Sequence, residues 1–181
     1  MAGLAGTGRG KMGIEIERKF LLAGDGWRAG AERVQAMAQG YLNDLGAVEG
    51  GTQKASVRVR IEGDRAFLNL KSRELGHTRQ EFDYPLPVED ARQLLALCVG
   101  GLVEKRRHYV RHAGHLWEID EFLGANAGLV VAELELDSAD EAFVRPAWLG
   151  EEVTDSPRYY NLALAGRPYS QWSPAERDGS R

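Results

Sequence analysis

Hydrophobic and polar residues alternate with a period of two along much of the chain, as they do in β-strands whose two faces meet different surroundings. In the clearest segment, 57–61, valine and isoleucine alternate with Arg58 and Arg60. The same pattern predicts further strands over residues 14–19, 68–71, 79–84, 105–109, 117–120 and 133–136. A turn at Ala113 and Gly114 is expected to join two of these strands in a hairpin.

Helices are predicted to be few and short. Pro87 begins one, because the acidic residues Glu89 and Asp90 are favourable near the positive end of a helix dipole, and it should continue to Cys98, before two glycines. A second helix is predicted over 138–144 and a last helical turn over 161–165. Many strands with few helices predict an antiparallel, β-rich α+β fold, and closure into a barrel would remove exposed strand edges.

The length and the composition of the two ends indicate one domain. A chain of 181 residues suits a single domain. Residues 1–13 are rich in glycine and alanine and 169–181 are polar, so both are predicted to be flexible tails around a domain over 14–168. Because no apolar run could span a bilayer and the first ten residues lack the apolar stretch of a signal peptide, we expect a cytoplasmic protein.

The net charge excludes some classes of partner. Acidic residues outnumber basic residues by 27 to 23, which gives a net charge of -4. No overall basic field would therefore attract nucleic acid or an anionic membrane. An anionic ligand would have to bind at a local basic cluster.

The charged positions of the predicted strands can be interpreted in two ways. Each could be the solvent face of a half-buried strand, which is common in antiparallel sheets. However, carboxylates and basic groups recur as i, i+2 pairs on nearly every strand, whereas solvent faces usually also carry threonine, serine and glutamine. The pattern favours a barrel with a charged interior.

Inside such a barrel, the two kinds of charge would have complementary roles. The carboxylates would supply the hard oxygen ligands that Mg²⁺ or Mn²⁺ prefers, from Glu15, Glu17, Glu118, Asp120, Glu133 and Glu135. The basic groups would bind phosphate oxygens, through Lys19, Arg58, Arg60, Lys71, Arg79, Lys105 and Arg107. Burying either set alone would be costly, so a chain of phosphates with its metal fits both.

A series of short motifs resembles those of the CYTH superfamily, which groups class IV adenylate cyclases, thiamine triphosphatases and bacterial inorganic triphosphatases. The first motif is Glu-x-Glu-x-Lys, at Glu15, Glu17 and Lys19. Others follow in the family's order at 39–42, 58–60, 70–72, 78–81, 103–105, 117–120, 133–135 and 157–161. The resemblance covers residues 14–165 and implies an eight-stranded antiparallel β-barrel, a tunnel that binds a triphosphate in its middle.

The resemblance also implies roles for individual residues. The metal would be held by Glu15, Glu17, Glu133 and Glu135. The phosphates would be bound by Arg58, Arg60, Lys71, Arg73, Arg79, Lys105, Arg107 and Arg158. The catalytic residues would be Lys19, Tyr41, Glu118 and Asp120, with Tyr41 facing Lys19 and the two carboxylates supporting the metal or orienting water.

The expected reaction is metal-dependent hydrolysis of inorganic triphosphate to pyrophosphate and phosphate, by a monomer or a homodimer. The likeness to short bacterial members favours this substrate. Strand parity favours it as well, because four aromatic residues fall on the face opposite the charges: Phe20, Phe82, Tyr84 and Trp117. Only Phe67 shares the face of the charged residues. The alternatives are cyclisation of ATP, hydrolysis of thiamine triphosphate, and a module that binds polyphosphate or nucleotide without turnover.

Overall fold

The computed structural model describes residues 16–72 and 80–177, which form strands and a few short helices. The strands are β1 (Ile16–Leu22), β2 (Ala31–Tyr41), β3 (Ala55–Glu62), β4 (Arg65–Ser72), β5 (Glu81–Leu86), β6 (Val99–His112), β7 (His115–Phe122), β8 (Val130–Leu136) and β9 (Leu149–Glu152). The helices are α1 (Leu45–Glu49), α2 (Val88–Leu95), α3 (Asn161–Gly166) and α4 (Pro174–Arg177), with short 3-10 turns at Gly26–Gly30, Gly124–Asn126, Pro157–Tyr159 and Tyr169–Gln171. Within these ranges, each helix is too short or too polar to cross a membrane.

The strands form one antiparallel sheet in the order β5-β4-β3-β2-β6-β7-β8-β1-β9. The predicted α+β fold built on an antiparallel sheet is confirmed. The described sheet has nine strands and not the eight expected, because the short strand β9 pairs with β1. Its hydrogen-bonded order ends at β5 and β9, so the described ladder is not closed.

The pairing register places the charged residues of successive strands on one face of the sheet, which we call the charged face. Residues directly opposite each other in adjacent strands point to the same side. The opposite pairs along this face include Lys19 and Glu133, Glu133 and Glu118, Asp120 and Arg107, Tyr41 and Arg58, and Arg58 and Asn69. The i, i+2 pairs found in the sequence therefore share one surface.

Much of the other face of the sheet is apolar and is covered by loops and a helix. Phe20 and Trp117 are fully buried there, in a cluster that includes Trp27 from the loop after β1. At the opposite end of the sheet, Ala91 of α2 packs against Val59. Full burial of such apolar side chains contributes about 1.5–3 kcal/mol each, so this face supplies much of the stability of the fold.

Another apolar cluster covers one part of the charged face. Tyr41, Val103 and Val131 of the sheet pack there with Leu164 of α3 and with Trp172. Trp172 is only 4% exposed, and its ring makes edge contacts with two tyrosine rings. Residues 169–177, the described part of the segment expected to be a flexible tail, therefore pack on the domain through Trp172.

The prediction of a helix over 138–144 is wrong, because residues 137–146 form a turn followed by an irregular segment. The Glu141 carboxylate accepts a hydrogen bond from the Asp137 N–H at 2.7 Å and lies 3.0 Å from Nε2 of His115. Phe143 packs its ring against Phe20 and Trp117. These tertiary contacts outweigh the weak local preference for a helix.

Other element boundaries also differ from the predictions. Helix α2 ends at Leu95 and not at Cys98, because the next three N–H groups bond to carbonyls three residues back, as in a 3-10 turn. Gly100 and Gly101 lie in β6 and do not terminate the helix. Strands β2 and β9 were not among the predicted strands.

Candidate active site

Lys19 lies at the centre of the acidic part of the charged face. Its Nζ is 2.6 Å from Oε1 of Glu17 and also contacts Glu133, and its side chain is 3% exposed. Burial opposes the ammonium charge, but the carboxylates of Glu133 and Glu17 outweigh burial and raise the pKa of Lys19. Burial, and then the nearby Glu133, raise the pKa of Glu17 to about 7. Two carboxylates from different strands thus converge on one buried cation.

Arg107 of β6 joins the carboxylates of β7 and β8. Its Nε and Nη2 each donate to Asp120 at 2.7 Å, and it also contacts Glu118 and Glu133. Burial disfavours the guanidinium charge, but Asp120 and Glu133 hold the pKa of Arg107 well above its ordinary value. Lys105 contacts Asp120 as well, in a pair whose side chains are 2% and 0% exposed. The carboxylates in this region are therefore held in place by buried basic groups.

The basic part of the charged face differs because its guanidinium groups are incompletely paired. The Nε atoms of Arg58 and Arg60 are buried and have no hydrogen-bond partner among the described residues. Burial, and then the charge of Arg58, lower the pKa of Arg60, whose Nε lies 3.5 Å from a Glu62 carboxylate oxygen. Buried donors on adjacent cations favour an anion at this place.

Tyr41 lies between the acidic and basic parts. It is 5% exposed, lies opposite Arg58 in the sheet, and interacts electrostatically with both Arg58 and Lys19. Burial raises the pKa of its hydroxyl group, so the neutral phenol is retained at neutral pH. A neutral phenol can donate a hydrogen bond to a phosphate oxygen or to water.

Three polar residues on the charged face of β4 and β5 were not predicted to belong to the site. The amide of Asn69, a residue that is 1% exposed, donates to Glu81 at 2.6 Å and to Asp83 at 2.7 Å. Glu81 also pairs with Lys71 at 3.1 Å. The alternation over 79–84 carried a signal for both carboxylates, because they share the parity of Arg79.

The remaining predicted residues lie in different places. Glu135 is exposed on the charged face, opposite Glu17. Arg158 lies in the segment after β9, with its guanidinium carbon 5.0 Å from the ring of Tyr159 and 5.2 Å from that of Trp172. Three predicted site residues lie outside the described part of the chain: Glu15, Arg73 and Arg79.

A cavity of about 630 Å³ lies against residues 151–159, which follow β9. This segment is bound to the strand that carries the acidic residues. The Lys19 N–H donates to the Thr154 hydroxyl oxygen at 3.0 Å, and the Val153 N–H donates to the Lys19 carbonyl at 2.8 Å. The cavity wall is thereby joined to the backbone of Lys19.

The acidic residues have the chemistry needed to hold a divalent metal ion. Across residues 16–72 and 80–177, no three His, Cys, Asp or Glu side chains are already gathered as a metal-binding group. Glu17 and Glu133 nevertheless direct oxygens to a common cation, the Lys19 ammonium, and Glu135 lies opposite Glu17 on the same face. Carboxylate oxygens are the ligands that Mg²⁺ and Mn²⁺ prefer, so the donor set fits such an ion.

The sequence of the protein matches the CYTH domain over residues 13–162. This match spans most of the chain, and the protein belongs to the CYTH family. The resemblance noted from the short motifs is thereby confirmed.

Two relatives are similar over nearly their whole length. An inorganic triphosphatase of Acetivibrio thermocellus is 40% identical over 162 residues, which are 89% of this chain and 99% of the relative. An inorganic triphosphatase of Nitrosomonas europaea is 38% identical over 154 residues, 83% of this chain and 96% of the relative. The crystal structure of an inorganic triphosphatase, 37% identical, superposes with a TM-score of 0.63 over 86% of this chain and 97% of the other.

Proposed function

We propose that the protein hydrolyses inorganic triphosphate to pyrophosphate and phosphate with the aid of Mg²⁺ or Mn²⁺. The observation that carries this proposal is the division of the charged face into a basic part and an acidic part. Arg58 and Arg60 present incompletely paired guanidinium groups, while Glu17 and Glu133 converge on one cation. The relatives that are 38 and 40% identical and are named inorganic triphosphatases support the same activity.

The basic residues bind the phosphate chain. Arg58 and Arg60 use their forked guanidinium groups to bind non-bridging oxygens, which satisfies their unpaired Nε–H donors. Lys105 and Arg107 add positive charge for the phosphates, and they also hold Asp120 and the neighbouring carboxylates in place. The other proposed phosphate ligands are Lys71, Arg73, Arg79 and Arg158.

The proposed metal ligands are Glu15, Glu17, Glu133 and Glu135. A bound divalent ion would neutralise negative charge on phosphate oxygens and so favour attack at phosphorus. Because Glu133 also contacts Lys19 and Arg107, its carboxylate is fixed from two sides before any ion arrives.

The reaction transfers the terminal phosphoryl group to water. A water oxygen attacks the terminal phosphorus, the bond from that phosphorus to the bridging oxygen breaks, and the electron pair leaves with pyrophosphate. Glu118, whose side chain is 34% exposed, orients the water and takes up its proton, with Asp120 supporting it through their shared partner Arg107. The Lys19 ammonium and the Tyr41 hydroxyl stabilise charge on the phosphate oxygens.

Inorganic triphosphate is the preferred substrate in this proposal because the charged face offers little surface for a nucleobase. Phe20 and Trp117 are buried on the apolar face, and Phe82 and Tyr84 lie exposed on that face. Phe67 does lie on the charged face, but the guanidinium carbon of Arg60 is 5.7 Å from its ring centroid. Specific recognition of an aromatic ring normally requires an apolar surface with a few placed polar groups.

The substrate comparison tests this proposal. Purified protein is incubated with inorganic triphosphate, ATP or thiamine triphosphate, each with Mg²⁺ or Mn²⁺, and the products are separated by ion chromatography. Inorganic triphosphate should have the highest kcat/KM. An equal or higher value for ATP, or cyclic AMP among the products, would instead favour a nucleotide enzyme, and binding without turnover would favour a binding module.

A further inference from the structure

An aromatic residue at the start of α3 covers the ammonium group of Lys19. The Lys19 Nζ lies 4.8 Å from the ring centroid of Tyr160, within the range of a cation–π interaction. The Lys19 side chain is 3% exposed, so little water competes with this contact. Cation–π attraction is strongest when the cation is desolvated in this way.

The ring of Tyr160 is fixed in place by its own backbone and hydroxyl. Its N–H donates to the Pro157 carbonyl and its carbonyl accepts from the Leu164 N–H, both at 3.0 Å. Its hydroxyl donates to the Thr154 carbonyl at 2.9 Å. Thr154 in turn accepts the Lys19 N–H, so one segment holds both the backbone and the ammonium of Lys19.

We propose that Tyr160 is a positioning residue for Lys19, an inference that rests on the proposed hydrolysis of triphosphate. Glu17 and Glu133 also contact the ammonium, but in the proposed function they are shared with a metal ion, and their negative charge offsets the attraction of Lys19 for phosphate. The Tyr160 ring carries no net charge. It can therefore orient the ammonium without reducing the positive charge that Lys19 presents to the substrate.

A graded series of ring substitutions tests this role. Tyr160 is replaced by phenylalanine, by phenylalanines with one, two and three ring fluorines, and by leucine, and kcat and KM for triphosphate are measured. Fluorine withdraws charge from the ring face while nearly preserving its shape, so kcat should fall stepwise along the series. Tyr160→Leu should lower kcat roughly tenfold, and Tyr160→Phe much less, because it keeps the ring face.

A matched control and a second readout separate positioning from a structural role. Tyr84 is 53% exposed on the apolar face, so Tyr84→Leu should leave kcat unchanged. Proton NMR of ¹³C-labelled lysine should show the ε-methylene of Lys19, assigned from its loss in Lys19→Arg, shifted upfield by the ring current. This shift should persist in Tyr160→Phe and disappear in Tyr160→Leu.

The outcomes distinguish the two proposals. An active wild-type protein whose trifluorophenylalanine variant matches Tyr160→Phe, or whose Lys19 resonance shows no ring-current shift, would overturn the role of Tyr160 alone. A wild-type protein that binds triphosphate without cleaving it would refute the proposed function, whether or not the Lys19 resonance shows the ring-current shift. The fluorinated variants keep the test valid even if the leucine variant fails to fold.

Discussion

Removing the guanidinium group of Arg60 should weaken the use of triphosphate without weakening the fold. The Arg60 Nε–H is buried without a hydrogen-bond partner in the described part of the chain, and burial together with Arg58 lowers its pKa. The free protein therefore holds this cation at a cost, which a phosphate oxygen would relieve. A charge that destabilises the free protein but stabilises the complex with its ligand is typical of a binding residue.

The size of the effect follows from the type of contact that is lost. A hydrogen bond to a charged group contributes about 1.5–3 kcal/mol, which corresponds to a fall in kcat/KM of about tenfold to 150-fold. The free energy of unfolding of Arg60→Met, measured with urea in the absence of substrate, should be unchanged or higher than that of the wild type. The added methionine keeps the volume of the aliphatic stem and removes the buried charge.

Steady-state assays of phosphate release measure the first quantity, with Arg65→Ala as the matched control. The guanidinium carbon of Arg65 lies at the same 5.7 Å from the Phe67 ring as that of Arg60, but the Arg65 side chain is 61% exposed. Arg65→Ala should change kcat/KM by less than about twofold. A similar small change in Arg60→Ala, or a large loss of stability in Arg60→Met, would refute the reasoning.

Three further predictions concern the metal, the buried ion pair and the end of the chain. Chelation by EDTA should abolish turnover, and Glu135→Gln should greatly reduce it without moving the melting curve, because Glu135 is exposed; unchanged turnover would remove Glu135 from the metal site. Lys105→Met should lower the free energy of unfolding by about 1–3 kcal/mol, measured in urea, because Asp120 is 0% exposed and would lose one buried donor while it keeps Arg107. Trp172→Ala should cost about 3 kcal/mol by the same measurement, whereas a flexible tail would show no change.

The residues of the charged face could be predicted from the sequence because strand geometry leaves few alternatives. In a strand, residues two apart must point to the same side, so Arg58 and Arg60 had to share a face, as did Glu133 and Glu135. The order of strands was not needed for this inference. Register then brought the separate pairs together, since opposite residues in adjacent strands also share a face.

The features that could not be predicted from the sequence depend on contacts between distant segments of the chain. The helix predicted over 138–144 is replaced by a turn because Glu141 binds His115 and Phe143 packs on the sheet. Trp172 lies in a polar segment, and its burial beside Leu164 depends on the fold. Local sequence carries neither contact.

Strand β2 and the residue Tyr160 show two other limits. Residues 31–41 include several small residues and adjacent charges, so the alternation is weak although the strand has two neighbours in the sheet. Tyr160 lies directly before α3, where no regular spacing relates it to Lys19. A ring that contacts a lysine from more than a hundred positions away can be found only from the fold.

Hydrolysis in ¹⁸O-labelled water, followed by ³¹P NMR, tests the central claim most directly. The proposed reaction predicts equal amounts of phosphate and pyrophosphate, with one ¹⁸O atom in the phosphate and none in the pyrophosphate, because water attacks the terminal phosphorus. Intact triphosphate in the presence of Mg²⁺ or Mn²⁺, or label in the pyrophosphate, would contradict the account.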